Sequence, residues 1–250
     1  MHILLVNDDG INSTGLHALI KEAVKRGHEV TVSAPNKQQS AVSQSLTFFR
    51  PIAVAPVSLY GADGYAVDGT PADCARLGIT NLAKSGIDLV ISGINDGLNS
   101  GGAIYCSGTV GAAREAAMLG VKSMAVSIDR PADETMLACA ADLALTFGER
   151  LIKYPMPPRS VLNLNVPSLP GDKLLPAVMA PVNHGKFVNV YERRLNPHGD
   201  AYFWVTPDVR REDPEPGSDE DFLQKGHVTC TFLLHSPEYI HIYQDFLQDE

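Results

Sequence analysis

The chain has 250 residues, 44% of them hydrophobic and 20% charged, enough to bury one sizeable core and a smaller appendage. A formal net charge of -9 argues against binding duplex nucleic acid without sequence preference, which needs Lys and Arg gathered on one face. No basic leader precedes an apolar core at the N-terminus and no run approaches the ~18 apolar residues of a spanning helix, so a cytoplasmic protein with no membrane partner is expected.

The apolar run Ile3-Leu4-Leu5-Val6 stops at Asn7-Asp8-Asp9-Gly10. Such a run suits a strand covered on both faces, as in the middle of a parallel sheet, and its carboxyl end then lies at the rim where open α/β sheets bind ligands. Adjacent Asp8 and Asp9 repel each other and lose hydration unless a cation or backbone N–H groups compensate them. A hard divalent cation such as magnesium, manganese or calcium is the simplest compensation, and a turn leading into a helix cap is the plain alternative.

Leu16, Leu19, Ile20, Ala23 and Val24 recur at helical spacing up to Gly27, and Glu29 to Ser33 reads as a second strand, completing a β-α-β unit. The polar segment Asn36 to Ser45 follows at the same rim as Asp8. Short strands are expected between Pro51 and Val67, and Thr70 is placed to cap a helix with Pro71 at its first position, running to about Ala83. Ile87 to Ile91 reads as another buried strand and breaks into a glycine-rich loop, Ser92 to Gly102.

That loop feeds Ser107-Gly108-Thr109 and a helix of small residues through Met118, whose start offers hydroxyls and free backbone N–H groups suited to a phosphate. A strand at Met124–Ser127 and an amphipathic helix from Met136 to Leu151 follow. Val161 to Pro167 alternates like a partly exposed or edge strand, and the main sheet is expected to finish there. This divides the chain into a Rossmann-like core, 1–167, with a mostly parallel sheet and flanking helices, and a C-terminal part, 168–250.

In the latter, Phe187–Tyr191 and Ala201–Val205 read as a long hairpin that needs another surface, naturally a second subunit, to pack on. Arg211 to Glu220 reads as an acidic surface loop, Val228 to Phe232 as a returning strand, and Glu238 to Leu247 carries aromatics suited to covering a neighbour. Cys74, Cys106, Cys139 and Cys230 are far apart, so they are expected reduced and mainly buried rather than paired or zinc-bound.

Several activities lack their motif. Strand one is followed by Asp-Asp-Gly rather than a dinucleotide fingerprint, and the chain contains no P-loop, no H-E-x-x-H and no nucleophile elbow.

Six separated motifs agree with one family. Asn7-Asp8-Asp9-Gly10, Ala34-Pro35 with Ser40, Gly69-Thr70-Pro71-Ala72-Asp73, Ser92-Gly93-Ile94-Asn95 with Gly97 and Asn99, Ser107 to Gly111, and Asn163 to Pro167 together resemble the SurE (survival protein E) family. The resemblance implies a divalent-metal-dependent 5'-nucleotidase acting on nucleoside monophosphates, with breadth toward 3'-nucleotides and short polyphosphate. It also implies one metal per subunit, held by Asp8, Asp9, Ser40 and Asn95, and a C-terminal part exchanged within a homodimer or homotetramer.

Together with the residue chemistry, it points to Asn99, Ser107, Gly108 and Thr109 as phosphate contacts and to Asp8 or Asp9 as the base that activates water. Cys106 stands where the family often has tyrosine, Phe232 replaces a usual proline, and His227 sits where an aromatic is frequent. Two other classes use a nucleotide at such a rim. A non-catalytic sensor would bind nucleotide without releasing phosphate, and a metal-dependent glycosyltransferase would turn over sugar nucleotides.

Overall fold

The computed structural model describes residues 1–185, 191–205 and 213–234. The opening apolar run forms β1 (His2–Val6), with every residue buried. Ile3 and Leu5 face one layer of core, while Leu4 and Val6 face another, so the strand is covered on both sides as its composition requires. The helix α1 (Thr14–Lys25) begins at Ser13, whose hydroxyl accepts from the Leu16 N–H, and returns the chain to β2 (Glu29–Pro35) parallel to β1. A hairpin of β3 (Val54–Leu59) and β4 (Ala62–Val67) follows, with β4 parallel to β2.

Thr70 and Asp73 form a reciprocal capping box at the start of α2 (Pro71–Leu77). The expected helix to Ala83 instead widens after Leu77 into one π-helical turn, Gly78–Leu82. The chain then crosses to the other side of β1 as β5 (Leu89–Asp96) and continues through α3 (Gly108–Met118), β6 (Lys122–Ile128), α4 (Glu134–Lys153) and β7 (Val161–Val166). Helices α1 and α4 cover one face of the sheet, and α2 and α3 cover the other.

The sheet does not finish at Pro167. After β8 (Leu175–Met179), the chain forms a separate antiparallel hairpin of β9 (Tyr191–Leu195) and β10 (Ala201–Val205). It then passes through α5 (Asp219–Gln224) and inserts β11 (His227–Leu233) between β7 and β8. Among the described residues the sheet has nine strands in the order β3-β4-β2-β1-β5-β6-β7-β11-β8, with β11 antiparallel to β7.

Strand β7 is therefore interior rather than at an edge, and all six of its residues are buried. Its alternation arises because Asn163 and Asn165 point into a buried polar network rather than into water. The first arm expected for the hairpin, Phe187–Tyr191, overlaps the observed β9 only at Tyr191, and residues 186–190 lie outside the described residues, as do 211–212 and the aromatic stretch Glu238 to Leu247. Every residue of β9 and β10 is exposed. Of the four free cysteines, Cys74 and Cys230 are buried, Cys139 is intermediate and Cys106 is exposed.

Candidate active site

The chain goes leftward from β1 to β2 and β4, then returns to the right of β1 as β5. The carboxyl ends of β1 and β5 thus flank the topological switch point, where an open α/β sheet leaves a crevice. Asp8 and Asp9 leave β1 at that point, and Asn95 lies near the end of β5. Asn7 shapes the acidic turn from beneath: its side chain donates to the Gly10 carbonyl and the Ser13 hydroxyl, and its own oxygen accepts the Gly10 N–H.

Asp8 is 4% exposed and faces the start of α3. The Thr109 hydroxyl donates to Asp8 Oδ1 at 2.6 Å and lies 3.3 Å from Asn95 Oδ1. The Asn95 amide group donates to the Gly97 carbonyl at 2.6 Å, which turns the Asn95 oxygen toward the carboxylates' side. A side chain at position 108 would place its Cβ 2.9 Å from Asp8 Cβ and 3.0 Å from Asp8 Oδ2, so the helix start reaches Asp8 only because Gly108 has none. At Gly111 a Cβ would lie 2.2 Å from the Ser43 carbonyl oxygen, which brings the segment after β2 against the same helix.

Burial pushes the Asp8 carboxyl up to about 6, with the neighbouring Asp9 adding to the rise and hydrogen bonds from Thr109 opposing it. Asp9 is also raised, first by burial and then by Asp96, although it accepts the Asp96 N–H at 3.1 Å. Two adjacent carboxyls that are both hard to ionise form a site short of positive charge.

Among the described residues no group of three or more His, Cys, Asp or Glu side chains is placed to hold a metal. The oxygen set here has two carboxylates completed by an amide and a hydroxyl, all hard donors that fit magnesium, manganese or calcium. Ser40 is tied to the acidic turn only through Gln38, whose side-chain amide donates to Ser40 Oγ at 3.0 Å and reaches Asp9 Oδ1 at 3.4 Å. In the sequence Gln38 is only one amide in a polar loop.

The expected phosphate contacts separate into three kinds. Ser107 caps α3, accepting from the Val110 N–H at 3.1 Å while keeping its own proton to donate, and Gly108 is the first residue of that helix. Thr109 has its hydroxyl committed to Asp8 rather than free for an anion. Asn99 is 6% exposed and has its amide turned to the Ser127 hydroxyl at 2.9 Å. Its main-chain carbonyl accepts from Asn163 and Asn165, so Asn99 anchors the glycine-rich loop, whose buried backbone groups need partners.

That loop is held from the other side by a residue expected on the surface. Asp219, fully buried at the start of α5, accepts the Gly101 N–H at 3.0 Å and the Asn183 N–H at 2.8 Å. The stretch Arg211 to Glu220 is thus not wholly a surface loop. Its end begins a helix capped by Ser218, and the spacing of Ser218 and Asp221 is the signal that reveals it.

A sheet covered on both faces, with paired carboxylates and a helix N-terminus meeting at its switch point, defines a Rossmann-like α/β protein with a ligand crevice at its rim. The family profile for survival protein SurE matches residues 3–188, and the chain belongs to that family. It is 38% identical over 238 residues to the "5'-nucleotidase SurE" of Syntrophobacter fumaroxidans, covering 94% of each chain. With the protein of the same name from Citrifermentans bemidjiense it shares 42% identity over 238 residues, covering 93% of this chain and 92% of that one. A crystal structure of the SurE protein from Aquifex aeolicus superposes with a TM-score of 0.81 at 30% identity, and the match covers 100% of both chains.

Proposed function

We propose that this chain is a 5'-nucleotidase that releases phosphate from nucleoside monophosphates with the help of one divalent cation, magnesium or manganese. The observation that carries the reading is the meeting of Asp8, Asn95 and Thr109 at the start of α3, where groups for a cation and for a phosphate lie together. The names of the relatives from S. fumaroxidans and C. bemidjiense support the same activity.

Asp8, Asp9, Asn95 and Ser40 would hold the cation, which when bound polarises a phosphoryl oxygen and lowers the pKa of water. The chain's own groups then have separate tasks. Ser107 and the first N–H groups of α3 receive the phosphoryl oxygens. Thr109 fixes the rotamer of Asp8 by its 2.6 Å hydrogen bond. Asp9, the less buried of the two carboxylates, takes a proton from the attacking water, and the Asp96 N–H orients it for that transfer.

We also propose that the chain assembles as a homodimer or homotetramer. Tyr202 and Trp204 on one face of β10 and Phe203 on the other are 40%, 60% and 59% exposed, apolar surface on both sides of the hairpin that suits a neighbouring copy. None of the described helices is long and apolar enough to cross a membrane.

The test is phosphate release from nucleoside 5'- and 3'-monophosphates, tripolyphosphate and phenyl phosphate, with magnesium, manganese or EDTA, on wild type and Asp9→Asn. Metal-dependent release that the variant loses supports the phosphohydrolase and ranks its substrates. Nucleotide binding without release from any substrate would instead identify a sensor.

A further inference from the structure

Away from the carboxylates, a cavity of about 370 Å³ opens beside the second half of α3 and the amino end of β7. It is lined by Gln44, Arg114, Met118, Arg159, Leu233 and Leu234. Arg114 and Met118 belong to α3, Arg159 stands just before β7, and Leu233 pairs with Val161 at the first position of that strand. The carboxyl end of β7 runs parallel to that of β6 toward the rim, so this cavity belongs to the other end of the strand.

The chain carries 20 Lys and Arg against 29 Asp and Glu, so carboxylates are in excess. Arg26, Arg50, Arg76, Arg130 and Arg194 each meet at least one. Among the described residues Arg114 and Arg159 meet none. Arg114 is half-buried near the Tyr105 ring, 6.0 Å from its centroid, and burial lowers its pKa because the charge has lost water without gaining a counter-ion. The adjacent Glu115 does not supply one. It is 3% exposed, and its carboxylate is committed to the Gln44 amide at 2.9 Å and to Arg76 of α2.

A guanidinium presents a planar fork of N–H donors that matches phosphate oxygens, and two of them balance the charge of a dianion. Met118 and Leu234, 44% and 57% exposed, add an apolar wall for an organic group attached to such a phosphate. We propose that this cavity is a second binding site, for a phosphate group that arrives free or as the phosphate of a nucleotide. It is separate from the candidate active site and does not depend on the nucleotidase reading. A site of this kind registers phosphate at a place where it is not turned over.

Calorimetric titration of the full-length protein in EDTA, at constant ionic strength, tests the site with inorganic phosphate, adenosine 5'-monophosphate and adenosine. Without a cation the paired Asp8 and Asp9 oppose an anion at the rim, so binding reports on the arginines. Phosphate and the nucleotide should bind and adenosine should not, and the double variant Arg114→Gln, Arg159→Gln should weaken both by about tenfold or more. Nucleotide binding several-fold tighter than phosphate identifies a nucleotide as the occupant, and equal affinities identify free phosphate as sufficient.

Arg159 is exposed, so Arg159→Gln alone keeps the test intact if the double variant fails to fold, and it should weaken phosphate by about threefold or more. Binding to the folded variants within about twofold of wild type, or no phosphate binding to wild type at about 10 mM, would overturn the proposal. Adenosine binding as tight as that of the nucleotide would overturn it too, because the phosphate would then not be what the cavity recognises.

Discussion

Asp8 and Asp73 are equally buried, 4% and 3% exposed, and their carboxyls shift in opposite directions. For both, burial acts to raise the pKa. At Asp73 that effect is outweighed by the Thr47 hydroxyl at 2.6 Å, the Thr47 N–H at 3.0 Å and the Thr70 N–H at 2.9 Å, which hold the carboxyl below its usual range. At Asp8 Thr109 supplies the opposing hydrogen bonds, a second carboxylate sits next door, and the group is pushed up to about 6. One aspartate has its charge met by the fold and caps a helix. The other is left short of positive charge at the rim of the sheet, which suits the cation proposed to sit there.

The largest effect should separate the two in catalysis. Asp8→Asn, assayed with saturating metal, is expected to lower kcat about a thousandfold or more, while Asp73→Asn keeps turnover per folded molecule within a few-fold. Wild-type turnover in Asp8→Asn would remove Asp8 from the machinery and dissolve the contrast.

In metal-free protein the same change should stabilise. Because the folded-state value near 6 lies above the unfolded value of 3.8, the penalty for ionised Asp8 is absent below about pH 4, grows between the two values and is complete above them. Asp8→Asn should therefore raise stability at pH 7.5 by at most about 3 kcal/mol, and urea unfolding at pH 3.5 should show the difference gone.

Gly108→Ala pushes a methyl group against Asp8 and shifts the start of α3. About a hundredfold loss of kcat/KM is expected, together with a fall of several degrees in melting temperature from the overpacked contact, read from kinetics and calorimetry side by side.

The smallest effect is the converse of the Asp8 experiment. The lowered pKa of Asp73 contributes stability that is present above about pH 4 and lost as the pH falls through the folded value, so Asp73→Asn should cost about 1–2 kcal/mol in urea unfolding at pH 7 and progressively less in acid.

Much of this contrast is legible in the sequence. Apolar runs ending in Asp8-Asp9 and near Asn95 mark rim strands, and Thr70-Pro71 with Asp73 marks a helix cap, because these signals are local. What stays hidden depends on partners distant in the chain. The alternation of β7 reads as half exposed, since nothing near Asn163 and Asn165 announces that they will bond to Asn99. Likewise Asp219 lies in an acidic stretch that looks solvated until Gly101 and Asn183 are brought to it. Gln38 and Thr109 were visible as polar residues, but their joining of Asp9 to Ser40 and of Asp8 to Asn95 is a property of the assembled rim.

The insertion of β11 between β7 and β8 has a consequence for biosynthesis. Among the described residues, strand β8 joins the sheet only through β11, so β7 keeps an open hydrogen-bonding edge until residues 227–233 have left the ribosome. Residues up to Thr109, including those proposed to act on the phosphate, emerge more than a hundred residues earlier. At ~5–20 residues per second, a nascent chain spends several seconds with its acidic rim already translated and its sheet unsealed. During that interval the unpaired β7 edge is the place where another nascent copy or a chaperone has most to bind.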